Sequence, residues 1–309
     1  MTEKEEIDLN PYGVSETKRL TIPSAENVLY KPFQCLDHGF VRLVDYMGGD
    51  ESIVQAARVS YGRGTKKVSE DKGLIRYLMR HIHTTPFEMV ETKFHAKLPI
   101  FVARQWVRHR TASINEYSAR YSILDNEFYV PSPEDLGIQA KSNRQGRDEP
   151  VGPEQAQKIL ELLKDSASRA YEGYENLLND DGKGNPKNPE DPMLARELAR
   201  MNLSLNFYTQ WYWKTNLHNL FHFLGLRKDA HAQKEIRVYA DHMGEMARAI
   251  APNAYEAFED YNLNGMLLSS LDIKGLSKIM KGEDKNKVAE EIFVNKRERI
   301  EFLGKLERI

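Results

Sequence analysis

The sequence predicts an α+β domain, from the order of its patterns. Strand-like text stands near the start, at 40–45 and 91–98, and mostly helical text follows. The chain has 309 residues, and a single core stops growing near ~250–300, so one large domain with extensions, or two small domains, is expected.

Residues 1–34 are polar, with Pro11, Gly13 and Pro23, and read as an arm. Residues 40–45 (FVRLVD) read as a strand ended by Gly48 and Gly49, with Asp50 placed to cap a helix running to about Val59. A second helix is expected over 69–83, with Ser69 as its N-cap, Leu74, Leu78 and His81 on one face, and Thr84-Thr85-Pro86 as its stop. Residues 91–98 alternate polar and apolar, the period of a half-buried strand. Pro99 fits the first position of a helix over 100–110.

A short strand over 123–131, ending at Pro131, and a loop over 139–153 come next. Apolar residues at helical spacing, among them Ile159, Leu162, Leu163, Ala167 and Ala170, predict a long helix over 154–178. A Gly/Pro/Asp loop fills 180–192, and helical text resumes at 193–224 and 230–250. From Gly265 the Lys- and Glu-rich text reads as an amphipathic helical extension on the outside of the body. The organisation expected is an arm at 1–37, a main domain at 38–262 and the extension at 263–309.

Composition excludes several functions. One cysteine allows neither an internal disulfide nor a CxxC pair nor a Cys-only metal site. A net charge of -2 argues against bulk binding to nucleic acid, although a local basic site can hide in the sum. No apolar run approaches the ~20 residues of a membrane span, and the acidic N-terminus carries no targeting pattern, so a cytoplasmic protein is expected.

The chemistry concentrates in 104–121, RQWVRHRTASINEYSARY. Arg104, Arg108, His109, Arg110 and Arg120 face one acid, Glu116, and short hydrogen-bonding residues fill the rest. Arg presents a planar fork suited to phosphate, and Ser with backbone N–H groups near 117–120 can complete an anion cradle. The segment reads as a site for a phosphorylated, hydrogen-bonding ligand, or else as a solvated helix end. Trp106, Val107 and Ile114 among the charges weigh against the second reading.

Other candidates have a plain reading beside a functional one. His218 and His222 are spaced i, i+4 but have no third ligand in view, so no metal site is expected. The aromatic group Phe207, Tyr208, Trp211, Tyr212 and Trp213 reads as core or subunit contact. Arg200 can pair on the surface with Glu197, and Arg227 with Asp229. Cys35 falls before the globular text.

Arg108, His109, Arg110, Ser113, Asn115, Glu116, Ser118, Arg120 and Tyr121 together resemble the RHRxxSxNExSxRY signature of flavin-dependent thymidylate synthases, without a mismatch. Residues 57–60 (ARVS), 83–88 (HTTPFE) and 226–232 (LRKDAHA) resemble further family segments, so the resemblance spans about 38–262. It implies a small, mostly antiparallel sheet with packed helices, assembled as a homotetramer with sites shared between subunits. It implies reductive methylation of dUMP to dTMP, with 5,10-methylenetetrahydrofolate as carbon donor, FAD as hydride carrier, NADPH as reductant and no cysteine nucleophile.

By the same resemblance, dUMP contacts fall on Gln105, Arg108, Glu116, Tyr117, Ser118, Ala119, Arg120, Arg200 and Arg227, with Arg227 catalytic as the fixed cation that activates uracil. FAD contacts fall on Ser60, His83, Thr85, Glu88, Arg108, His109, Arg110, Glu116, Asn216, His218, His222 and His231. His218 departs from the Arg the family often carries there. No GxGxxG indicates a Rossmann-type flavin site. The competing reading is a nucleotide- or RNA-binding protein without catalysis.

Overall fold

Alternating burial builds the sheet. In a computed structural model that describes residues 16–59, 71–141 and 146–309, the strands are β1 (Phe33–Cys35), β2 (Gly39–Met47), β3 (Glu91–Pro99), β4 (Ser113–Glu116), β5 (Gly137–Gln139), β6 (Arg147–Pro150) and β7 (Tyr208–Asn216). Five of them form one antiparallel sheet in the order β1-β2-β3-β7-β4, and β5 and β6 form a separate hairpin. Phe94 of β3 lies opposite Trp213 of β7, and Ala96 opposite Trp211, so one face of the sheet is a wall of buried aromatics. The opposite face carries His95 opposite Arg42 and Tyr212, with the His95 and Tyr212 rings stacked at 4.8 Å.

The helices are α1 (Pro23–Glu26), α2 (Asp50–Val59), α3 (Asp71–Arg80), α4 (Ile100–Trp106), α5 (Pro153–Leu178), α6 (Arg196–Ala199), α7 (Leu217–Arg227), α8 (Lys234–Ile250) and α9 (Pro252–Phe258). Trp106 of α4, Phe223 of α7 and Tyr239 of α8 cover the aromatic face, with the Trp106 ring 4.9 Å from Phe223 and 5.5 Å from Trp213. α5 supplies a second core, where Tyr171 and Tyr174 pack with Phe207 and Leu124.

The chain divides into two compact units, one through Glu256 and one from Ala257 to Ile309. The second contains α10 (Ser270–Ile279), α11 (Lys285–Ile292) and α12 (Lys296–Leu306), which bury Val288, Ala289, Phe293 and Phe302 in a core of their own. Gly275 is required there, because a Cβ on it would stand 2.5 Å from the Phe302 ring.

The mixed helix and antiparallel-sheet fold is the one the sequence predicts, and β2, β3, α5 and α8 stand close to their expected places. Several expectations are corrected. The expected helix over 100–110 stops at Trp106, because the chain must turn back to pair β4 with β7. Arg108 and His109 therefore lie in a turn. The helical reading of 193–224 hid the interior strand β7, whose buried Trp211, Trp213 and Thr215 alternate with Tyr212 and Lys214. The strand expected over 123–131 is reduced to one bridge, Phe128 to Phe207, and the loop expected over 139–153 contains most of the β5–β6 hairpin.

Cys35, expected in the arm, is fully buried in β1, since Phe33 and Cys35 pair in register with Val41 and Gly39. Asp50 does not cap its own helix. Its carboxylate accepts the backbone N–H groups of Asn253 and Ala254 at the start of α9. Ser69 lies outside the described residues.

Candidate active site

Two chain reversals converge beside the aromatic wall. After α4, the turn carrying Arg108, His109 and Arg110 leads into β4. After β7, Asn216 caps α7, its side-chain oxygen accepting the Asn219 N–H at 3.0 Å. The two reversals enclose a cavity of about 360 Å³, within the usual range for small-molecule sites. Arg108, His109, Arg110, His222 and Arg227 all line it. The sequence reading missed its other walls: Thr111, Trp213, Thr215, Asn219 and Leu226. The alternation of Trp211, Trp213 and Thr215 with Tyr212 and Lys214 is the sequence signal that places Trp213 and Thr215 on one face.

The electrostatics are one-sided. Three guanidinium groups and no carboxylate line the cavity. Arg227 donates from Nε to His109 Nε2 at 3.1 Å, which leaves the His109 proton on Nδ1. Burial, then Arg227, then His222 hold the His109 pKa down at about 4, so the ring is neutral at pH 7. Burial also lowers the Arg227 pKa, but an arginine stays cationic. Asp229, the alternative partner for Arg227, instead accepts from the backbone N–H of His231 and meets its ring. His231 is thus exposed beside Asp229 and does not line the cavity.

The remaining candidates lie in separate groups. Glu116 accepts from Thr209 Oγ1 at 2.8 Å. Tyr117 donates its N–H to Gln210, and the Ser118 hydroxyl accepts the Arg120 N–H. Arg120 pairs with Glu197 at 3.2 Å, the acid that sequence spacing offered to Arg200. Arg200 is exposed, and Ala119 is packed into the α5 core. Gln105 donates to Gln233. His83, Thr85 and Glu88 follow α3, with the His83 ring 5.8 Å from Tyr77. His218 is half-buried on α7 and does not line the cavity. Ser60 lies outside the described residues.

A cationic cavity with a neutral imidazole and a tryptophan wall, set on an antiparallel sheet covered by helices, defines an α+β protein with a cavity whose chemistry suits flat anionic ligands. The family described as Thymidylate synthase complementing protein matches residues 42–253. The Flavin-dependent thymidylate synthase of Rickettsia bellii (strain RML369-C) is 56% identical over 268 residues, covering 86% of this chain and 91% of the relative. That of Gluconobacter oxydans (strain 621H) is 57% identical over 281 residues, covering 91% and 90%. A crystal structure of the UMP/dUMP methylase PolB from Streptomyces cacaoi, bound with 5-Br dUMP, matches with a TM-score of 0.63 at 32% identity, over 75% of this chain and 99% of that one. The chain belongs to the flavin-dependent thymidylate synthase family and is an enzyme of the methyltransferase class.

Proposed function

We propose that this enzyme methylates dUMP to dTMP, with 5,10-methylenetetrahydrofolate as one-carbon donor, FAD as hydride carrier and NADPH as reductant. The observation that carries the reading is the cavity itself, where Arg108, Arg110 and Arg227 converge with neutral His109 and no opposing acid. Its donor set fits a flavin dinucleotide. Arg108 and Arg110 suit the pyrophosphate, and Trp213, His222 and Leu226 offer flat or apolar surface. FAD contacts are proposed at these cavity residues and, from the family motif, at Ser60, His83, Thr85, Glu88, Glu116, Asn216, His218 and His231. When bound and reduced, the flavin supplies the hydride that completes the methyl group.

The protein's own part is electrostatic. Carbon 5 of uracil is a poor nucleophile, and a fixed cation near the pyrimidine favours its electron-rich form. Arg227 is the proposed cation, held in place by His109 Nε2. His109 stays neutral there, so it orients Arg227 without adding a competing positive charge. Cys35 is a poor alternative nucleophile, because it is fully buried in β1 and burial raises its thiol pKa strongly. The dUMP contacts are proposed at Gln105, Arg108, Glu116, Tyr117, Ser118, Ala119, Arg120, Arg200 and Arg227. Several of these stand outside the cavity of one chain, which supports a homotetramer with sites completed by neighbouring subunits.

The test is dTMP formation with methylenetetrahydrofolate, NADPH and FAD, omitting each in turn, alongside anaerobic bleaching of the flavin by NADPH. A protein that takes up no flavin and forms no dTMP would return the Arg-rich segment to simple nucleotide or RNA binding.

A further inference from the structure

Arg196 stands outside the family signature and outside the cavity, yet it grips the last residue of that signature. Its Nη1 donates to the Tyr121 carbonyl at 2.6 Å, and its Nη2 donates to Asp180 Oδ2 at 3.1 Å. Asp180 is itself fixed. Its side chain is 5% exposed, and Oδ1 accepts the N–H groups of Gly182 and Gly184, both at positive φ. These amides and the guanidinium hold the Asp180 carboxyl below its usual pKa.

The turn carrying Ser118 and Arg120 is therefore tied at two ends. Tyr117 N–H bonds to Gln210 of β7 at 2.8 Å, and the Tyr121 carbonyl bonds to Arg196. Inside the turn, the Tyr121 and Ser122 N–H groups both donate to the Ser118 carbonyl. The first tie comes from the sheet and exists wherever β7 does. The second comes from Arg196 at the start of α6, braced by Asp180 in the loop after α5.

We infer that Arg196 is a positioning residue for the nucleotide, setting the Ser118–Arg120 turn through the Tyr121 carbonyl with Asp180 as its anchor. The inference rests on the dUMP reading above. Without Arg196 the turn keeps its sheet tie, its internal bonds and the exposed Arg120–Glu197 pair, so it persists but loses the buried anchor that fixes its pose. Binding of dUMP then weakens, while saturated turnover is spared.

The test compares wild type, Arg196→Ala and Asp180→Asn, with dUMP affinity by calorimetry, dUMP KM, kcat and melting temperature. The amide introduced by Asp180→Asn retains an oxygen for the Gly182 and Gly184 N–H groups but removes the charge facing Arg196. Arg196→Ala is expected to raise dUMP Kd and KM about tenfold, the effect of one charge-assisted hydrogen bond. Its kcat and melting temperature should stay near wild type, and added guanidinium should lower the KM again. Asp180→Asn should shift KM the same way by a smaller factor. A folded Arg196→Ala enzyme with unchanged dUMP KM overturns the inference, as does a KM change that only accompanies a collapse of kcat and melting temperature. If Arg196→Ala does not fold, an unchanged KM in Asp180→Asn overturns it. A wild-type protein that binds no dUMP overturns the nucleotide reading, and this inference with it.

Discussion

Two sets of cations in the first unit are treated in opposite ways. Elsewhere around the sheet and its helices, three cations each meet an acid. Lys97, 6% exposed, reaches Glu127, Arg147 reaches the buried Glu235, and Lys234 reaches Asp135. Around the cavity, Arg108 and Arg110 make no side-chain hydrogen bond or ion pair among the described residues, and Arg227 meets only the neutral His109. Paired cations can be buried because their charge is cancelled. Cations kept together without a counter-charge leave a field that a bound anion completes, and removing one should cost chemistry more than stability.

The sharpest way to break this contrast is Arg227→Ala. Turnover should fall by about 10²–10³-fold or more, as for loss of one preorganised charge, while flavin absorbance is largely retained. Wild-type turnover in that variant would remove Arg227 from the mechanism. On the other side of the contrast, Arg147→Ala leaves the Glu235 carboxylate buried without its cation, with neutral donors such as Tyr129 Oη in its place. Unfolding in urea should show a loss of about 2–4 kcal/mol, with activity per folded molecule near wild type. A loss confined to activity would invert the comparison.

The neutral imidazoles give a pH test. His95 and His109 both have pKa values lowered from 6.5 to about 4, chiefly by burial. The unfolded chain takes up these protons near pH 6.5 and the folded chain does not. Their contribution is therefore fully present above pH 6.5 and is lost as pH falls towards 4. His95→Gln should flatten the stability profile in that window by about 1–2 kcal/mol, after allowance for solvent around a partly exposed ring. An unchanged slope would show that His95 titrates normally.

Smaller effects remain. Ser118→Ala should weaken dUMP binding by about 0.5–1.5 kcal/mol, one neutral hydrogen bond, measured as KM. A far larger loss would assign the hydroxyl a chemical role. Cys35→Ser should remain active with a stability cost of about 1 kcal/mol from its buried hydroxyl. A dead variant with fold and flavin intact would restore a thiol mechanism.

Much of this was legible in the sequence, though unevenly. The 91–98 alternation located β3 because over 91–96 one face of that strand is buried and the other only half-buried. The 154–178 periodicity located α5 because it packs on one side only. By contrast β7 is masked in the sequence, since its indole rings and flanking leucines look equally apolar in a helical or a strand period. The Arg-rich motif pointed to 108–110, but the partnership of His109 with Arg227 joins residues 118 apart in sequence. No local pattern encodes that contact. The same is true of Asp50, whose partners lie some two hundred residues downstream.

The position of β3 in the sheet also sets a clock for synthesis. β3 ends at Pro99, and its second partner begins only at Tyr208. At ~5–20 residues per second, β3 waits about 5–20 s with one row of backbone groups unpaired and Phe94 without its tryptophan. Until the ribosome delivers β7, the nascent chain carries an open hydrophobic strand edge, the kind of surface that chaperones bind and that aggregates recruit.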